Sequence, residues 1–462
     1  MFRLFKHYIP YAVLLLGLLD ALALMVAAEL AWVVRADMIG MDAGTFSGRW
    51  KTVVAFAFVV QTGMIAVGVY GTEALRSLAF ALLRLLAAIS LGVILLATLY
   101  FILPPLALWR SNLAFAMPLA IVLTMLLRVG FAALGGGDLF TRKLVVLGAG
   151  ERARRIGDLS QVKGSGFEVV GYVAMSSAEP LVPNAVHRSN IESLADFVVG
   201  LDASEVVLAL EERRNALPLD DLLRVKTTGV AVNEISSFLE RETGRVDLAT
   251  VNPSWFIFSD GFTAGQRVSK VAKRLFDIVA SILVLVLTLP LLILAAIAVR
   301  LDSRGPILYR QVRVGLYGQQ YRILKFRSMR QDAEAPGKAV WAAERDPRIT
   351  RIGRILRATR IDEIPQAWNV LAGHMSFVGP RPERPEFVTD LEQQIPYYAE
   401  RHMVKPGLTG WAQINYPYGA SIEDARSKLE YDLYYAKNYT PFLDLLILVQ
   451  TLRVVLWPEG VR

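Results

Sequence analysis

The sequence predicts a multi-domain membrane protein in three parts. These are an N-terminal bundle of four transmembrane helices (1–137), a central Rossmann-like α/β module (141–262) and a C-terminal α/β domain (266–462) opened by a re-entrant membrane helix at about 275–299. Three observations predict this. Apolar runs long enough to cross a bilayer recur at 11–34, 52–70, 78–103 and 113–134. A strand-like run at 143–147 leads into Gly148-Ala149-Gly150-Glu151-Arg152-Ala153, the GxGxxG/A shape of a dinucleotide-binding turn. A fifth apolar stretch is interrupted by Pro290 and carries positive charge at both ends.

Composition narrows the class. A hydrophobic content of 54% and a mean hydropathy of +0.40 exceed what a soluble domain needs. With no cysteine, disulfides and thiolate metal sites are excluded. The net charge of +8 suits anionic headgroups and phosphorylated ligands. Nucleic acid is set aside, because no recognition helix or RNP-like pattern is present. There is no GxxxxGK[ST] loop and no GxSxG elbow, and the four histidines are scattered.

The basic amino end and Arg142 with Lys143 after the fourth span place both bundle ends on the inner side, although Arg35, Arg49 and Lys51 crowd the first outer loop. Asp20 and Glu29 interrupt the first span and carry no assigned role. Beyond the GGGD hinge at 135–138, strand-like runs at 143–147, 167–173, 205–210 and 230–232 alternate with helical stretches, which argues a parallel sheet. A dinucleotide site needs an acidic residue near the end of its second strand. Here that strand ends Ala174-Met175-Ser176-Ser177, so the module reads as structural or regulatory rather than cofactor-binding.

Lys270, Lys273 and Arg274 precede the stretch at 275–299, and Arg300, Arg304, Arg310 and Arg313 follow it. Positive charge on both flanks asks for both ends on the inner side, which a helix bent at Pro290 satisfies. From Gln266 onward 28 Lys and Arg face 19 Asp and Glu, so the C-terminal domain is the basic one. Within it, Ile307 to Met329 alternates like strands around Gly315 and Gly318 and delivers Lys325 and Arg327. The adjacent carboxylates Asp362 and Glu363, with Arg357 and Arg360 upstream and Pro365 behind, read as the start of a short helix closing at Gly373. A helix N-terminus favours phosphate and an ionised carboxylate. Arg381 stands between Pro380 and Pro382, which immobilise it for a bidentate phosphate contact. The apolar run 441–457 reads as a helix in the membrane interface, with a buried core helix as the even alternative.

Four motifs, LKFRSM (324–329), RIDEIPQ (360–366), GPRP (379–382) and KPGLTGWAQ (405–413), resemble in kind and order the bacterial sugar transferases, polytopic polyprenyl-phosphate phosphoglycosyl transferases of the exopolysaccharide-associated type. The stretch 251–262 resembles a connector of that subgroup, and the family's Ser before the bend proline is Leu289 here. The resemblance implies transfer of a sugar-1-phosphate from a UDP-sugar to polyprenyl (undecaprenyl) phosphate at the cytoplasmic face of the bacterial inner membrane, with release of UMP. Asp362 would be the nucleophile that carries the phosphosugar. Glu363 would hold Mg2+ or Mn2+, and Lys325, Arg327, Arg357 and Arg381 would bind substrate phosphates. Partners so implied are the UDP-sugar, polyprenyl phosphate and the lipid bilayer, with self-association allowed. The rival is a membrane-anchored NAD-dependent nucleotide-sugar dehydratase or epimerase, for which Tyr321 and Lys325 have the Tyr-x-x-x-Lys spacing but no second glycine fingerprint accompanies them. A non-enzymatic nucleotide sensor leaves all four motifs unexplained.

Overall fold

In the computed structural model a short antiparallel strand pair, Phe2–Leu4 with His7–Ile9, precedes four helices: α1 (Tyr11–Met38), α2 (Phe46–Val67), α3 (Leu78–Ile102) and α4 (Arg110–Ala133). Each is long and apolar enough to cross a membrane. The structure describes residues 2–4, 7–9, 11–70, 78–133, 141–162, 165–176, 178–211, 217–251, 255–256, 267–330, 348–417, 419 and 421–456. They divide into two units, Met1–Thr243 and Gly244–Arg462.

The charges inside the first helices are structural. Arg128 of α4 donates from both terminal nitrogens to the two oxygens of Asp20 on α1, at 3.0 and 3.1 Å, and both side chains are buried. Each charge would be costly alone in an apolar layer, so the pair ties α1 to α4. Glu29 is bound by Arg49, which lies in the first turn of α2 rather than in an outer loop.

After the helices comes a five-stranded, all-parallel sheet with helices around it. Its elements in chain order are β1 (Arg142–Leu147), α5 (Glu151–Gln161), β2 (Phe167–Ala174), β3 (Ala185–His187), α6 (Leu194–Gly200), β4 (Glu205–Leu208), α7 (Leu219–Thr227), β5 (Ala231–Glu234) and α8 (Ile235–Thr243). The strand order is β3-β2-β1-β4-β5. Alternation along β1 explains the layering: Leu144 and Val146 pack with Ile156 and Phe238, while Val145 and Leu147 pack with Leu194 and Val225. The sequence pattern missed β3, which has three residues and no fully buried side chain.

The first long helices of the second unit are α9 (Arg267–Leu287) and α10 (Leu289–Asp302), bent by 62° at a one-residue break. Pro290 lies in the first turn of α10. The hydroxyl missing at Leu289 is supplied one residue earlier, where Thr288 Oγ1 donates to Val284 O at 2.6 Å. Leu283, Val286, Leu287, Ile293 and Leu294 around the bend are exposed. Two polar ties hold α9 to its own unit. Asp277 accepts from Ser376 Oγ and Phe377 N at 3.0 and 3.1 Å, and Lys273 reaches Val378 O and Asp444.

An antiparallel hairpin follows, β6 (Leu308–Val314) with β7 (Gln320–Phe326), turning through Gly318 at φ +78°. Next come α11 (Arg351–Ala358), a 3-10 turn (Ile361–Gln366), α12 (Ala367–Ala372), β8 (Ser376–Val378), α13 (Pro385–Gln394), β9 (Gly407–Thr409), α14 (Trp411–Asn415), α15 (Ile422–Asn438) and α16 (Pro441–Leu456). Strands β8 and β9 pair in parallel. A Cβ on Gly379 would stand 2.2 Å from Lys405 O, and one on Gly407 would stand 2.1 Å from Gly379 N. The glycines of GPRP and KPGLTG therefore let two motifs become neighbours.

The packing bears on two sequence expectations. Val246, Leu248 and Val251 pack with Trp411, Leu433 and Ile447, so the chain joins the second unit from Gly244, not from 266. The remainder of the predicted connector, 252–254 and 257–262, lies outside the described residues. The run 441–457, expected in the interface, forms α16 up to Leu456 and buries Leu443 and Ile447 in the same core. Its buried Asp444 finds partners in Lys273 and Tyr435, which a face turned to lipid would not offer.

Candidate active site

Asp362 and Glu363 sit on the 3-10 turn rather than in an α-helix. Three local features put them there. Thr350 caps α11 by accepting from Gly353 N at 2.9 Å. Gly353 allows α11 to approach the end of the hairpin, because a Cβ would come 2.0 Å from Ser328 O. Arg360, left-handed at φ +59°, then turns the chain sharply out of α11. Behind the dyad, Asn369 of α12 donates to Arg322 O at 2.7 Å and accepts from Leu324 N at 2.9 Å, extending the edge of β7 with its amide.

These supports set Glu363 against β7. Lys325 Nζ donates to Glu363 Oε1 at 2.8 Å, with both side chains about four-fifths buried. A cleft beside them is lined by Arg313, Lys325, Glu363, Gln366, Arg381 and Leu408, among others. Three cations thus share a small space with one ionised carboxylate. Burial works to raise the Glu363 pKa, but Lys325, Arg381 and Arg360 outweigh it and hold the group down at about 2. Asp362 goes the other way: burial first, then the neighbouring Glu363, push its carboxyl up. The turn was expected to favour an ionised aspartate, yet the group most firmly held ionised is the glutamate. Asp362 is buried, and its Oδ1 has no hydrogen-bond partner in the structure.

The remaining expected site residues divide. Arg381 lines the cleft with Lys325 and Glu363. Arg357 is close enough for its charge to act on Asp362, and its Nε donates to Ser328 Oγ at 3.0 Å. Arg327 does not line the cleft. It is buried and donates to Ser303 O and Oγ at 2.7 and 2.9 Å, tying β7 to the end of α10. Pro290 sits at the helix bend and takes no part in the cleft. Arg313 and Gln366 were missed as site residues. In the sequence Arg313 reads only as a positive flank, but hairpin register pairs it with Tyr321 and so puts it on the face of Ile323 and Lys325. Period-two alternation read across Gly315 and Gly318 carries that signal.

The glycine turn of the first unit is a different case. Gly148 has φ +137°, and a Cβ there would lie 2.3 Å from Ala209 O. At the start of α5, Arg152 N already donates to Glu211 Oε1 at 3.0 Å, and the same carboxylate crowds Gly150. The Glu211 carboxylate thus takes up an amide of the first turn of α5.

A carboxylate pair ringed by arginines and a lysine thus shares one unit with a bent apolar helix pair, in a chain with four helices long and apolar enough to cross a membrane. Residues 268–458 match the family described as bacterial sugar transferase. The chain belongs to that family. It is 44% identical over 190 residues to a UDP-glucose:undecaprenyl-phosphate glucose-1-phosphate transferase of Caulobacter vibrioides, covering 41% of this chain and 71% of the relative. It is 40% identical over 241 residues to a UDP-N-acetylgalactosamine-undecaprenyl-phosphate N-acetylgalactosaminephosphotransferase of Aeromonas hydrophila, covering 52% and 56%. With an undecaprenyl-phosphate glucose phosphotransferase of Komagataeibacter xylinus the identity is 43% over 186 residues, covering 39% and 35%. The chain thus spans only about half, or about a third, of the length of the latter two relatives.

Proposed function

We propose that this chain transfers a sugar-1-phosphate from a UDP-sugar to a polyprenyl phosphate in two displacements. An oxygen of Asp362 attacks the sugar-bearing phosphorus, the bond to the bridging oxygen breaks, and UMP leaves with that oxygen. A phosphate oxygen of the polyprenyl phosphate then attacks the same phosphorus, breaking its bond to Asp362 and forming a diphosphate-linked sugar. Two steps suit substrates from water and from lipid, which need never be held together. The observation that carries the reading is the unpartnered Asp362 Oδ1 on the turn that places Glu363 in a cleft with Lys325, Arg381 and Arg313. Those cations would stabilise charge on the phosphates and on the departing UMP.

A divalent cation fits the donor set in one manner. Among the described residues no three carboxylates or histidines cluster, and only one oxygen of Glu363 is hydrogen-bonded to Lys325. Glu363 would hold magnesium or manganese together with diphosphate oxygens, an arrangement common for magnesium. Such an ion, when bound, neutralises phosphate charge. The central module reads as a Rossmann-like layer without a cofactor. The α9–α10 pair reads as a re-entrant helix at the inner membrane, with both basic flanks and the dyad on the cytoplasmic face.

The reaction is tested with purified chain, polyprenyl phosphate and a panel of UDP-sugars, scored for UMP release and for a phosphosugar adduct on Asp362. Turnover without any adduct in a single-turnover quench would overturn the two-step scheme. Topology is tested in this cysteine-free chain by single cysteines at Ser269 and Ser303. Both should be shielded from an impermeant reagent in intact cells, and labelling of Ser303 alone would rule out a returning helix.

A further inference from the structure

The loop that carries Arg381 is held at four successive carbonyls. Pro380 O accepts from Gly407 N at 2.9 Å and Glu383 O from Val314 N at 3.0 Å, both main-chain donors. The two carbonyls between them are taken by side chains: Arg401 Nη2 donates to Arg381 O at 3.0 Å, and Arg313 Nη1 to Pro382 O at 3.1 Å. Arg313 also lines the cleft, but Arg401 does not. Arg401 and its partner Asp432 on α15 have side chains only 5% and 2% exposed. Arg401 Nε and Nη2 reach Asp432 Oδ2 at 3.1 and 2.6 Å, and Nη1 reaches Tyr398 OH at 2.7 Å.

A buried ion pair is a poor device for stability alone, since apolar residues of similar volume often do as well or better. What the apolar pair could not supply is a donor aimed at Arg381 O. We propose that Arg401, aimed by Asp432, is a positioning residue that fixes the main chain under Arg381 and so directs its guanidinium at the diphosphate of the nucleotide substrate. This rests on the reaction proposed above. Proline on each side of Arg381 limits φ at Pro380 and Pro382, and the clamp restrains the residue between them. The cleft thereby receives an arginine whose direction is set from outside the cleft.

The test uses the full chain and separates positioning from stability. Arg401→Met alone strands Asp432 in the core and should lower Tm severely. The double variant Arg401→Met/Asp432→Leu removes both charges and should recover most of that Tm. Its kcat/KM for the UDP-sugar should nevertheless remain about 10- to 100-fold down, carried mainly by KM, with UDP binding by calorimetry weakened in parallel. Adding Arg381→Ala should then cost much less in the double variant than in the wild-type background. A double variant with recovered Tm and wild-type kcat/KM, or an equal cost of Arg381→Ala in both backgrounds, would overturn the clamp. Wild-type chain that releases no UMP would instead overturn the reaction. The clamp would still be judged by whether the double variant binds UDP as tightly as the wild type.

Discussion

Two turns of this chain have the form of a phosphate site, and they differ in what already fills them. At the glycine turn after β1, the first amide of α5 is engaged by Glu211, so donor and acceptor are matched within the chain. At the dyad turn, cations outnumber the one firmly ionised carboxylate, and Asp362 Oδ1 is buried without a partner. A glycine fingerprint describes backbone shape, whereas the dyad turn gathers Lys325, Arg381 and Arg313 around Glu363.

Five substitutions break or sharpen that contrast. Asp362→Asn should cost the largest factor, on the order of 10³-fold or more in UMP release, with folding retained, because an amide oxygen is no nucleophile. A variant retaining near-normal turnover would remove Asp362 from its role. Next, Lys325→Met leaves Glu363 facing Arg381 without its direct partner and should cost about 3 kcal/mol in denaturant unfolding, along with most activity. The acid side of this pair has a definite sign. Glu363 is depressed to about 2, so the unfolded chain takes up its proton first as pH falls. The stabilisation is complete above the ordinary glutamate pKa of about 4.3 and is lost as pH falls through the folded value. Acid unfolding of Lys325→Met should be correspondingly less steep across that window.

Asp362 is raised rather than depressed, so the acid limb of kcat/KM should lie above the usual aspartate range. In Glu363→Gln the residual activity should show that limb shifted down, because a neighbouring negative charge is gone while burial remains. An unmoved limb would assign the titration to another group. At the other turn, Gly148→Ala must accept φ +137° and a clash with Ala209 O, and should cost about 2–4 kcal/mol. Transfer kinetics of the folded fraction should be unchanged. The smallest effect belongs to Glu211→Ala, which should change stability by less than about 1 kcal/mol and leave transfer as it was. Tight, stoichiometric NAD binding by the wild-type chain would reverse the comparison and revive the dehydratase reading.

Much of the architecture was legible because it depends on period and length. The four long apolar helices and the parallel strands follow from runs of apolar residues, and the bend at Pro290 follows from a missing N–H. Asp362, Glu363 and Arg381 could be named because each stands in a short, chemically unusual neighbourhood. Tertiary structure alone decided which charges meet. No local pattern could distinguish Arg381, which lines the cleft, from Arg327, which lies outside it and bonds Ser303 through Nη2. Nor could one reveal that Asp20 meets Arg128 across 108 residues of sequence, or that Asp432 aims Arg401. The reason is physical: hydrophobic periodicity is a property of adjacent residues, whereas a buried charge is defined by partners the chain brings from far away.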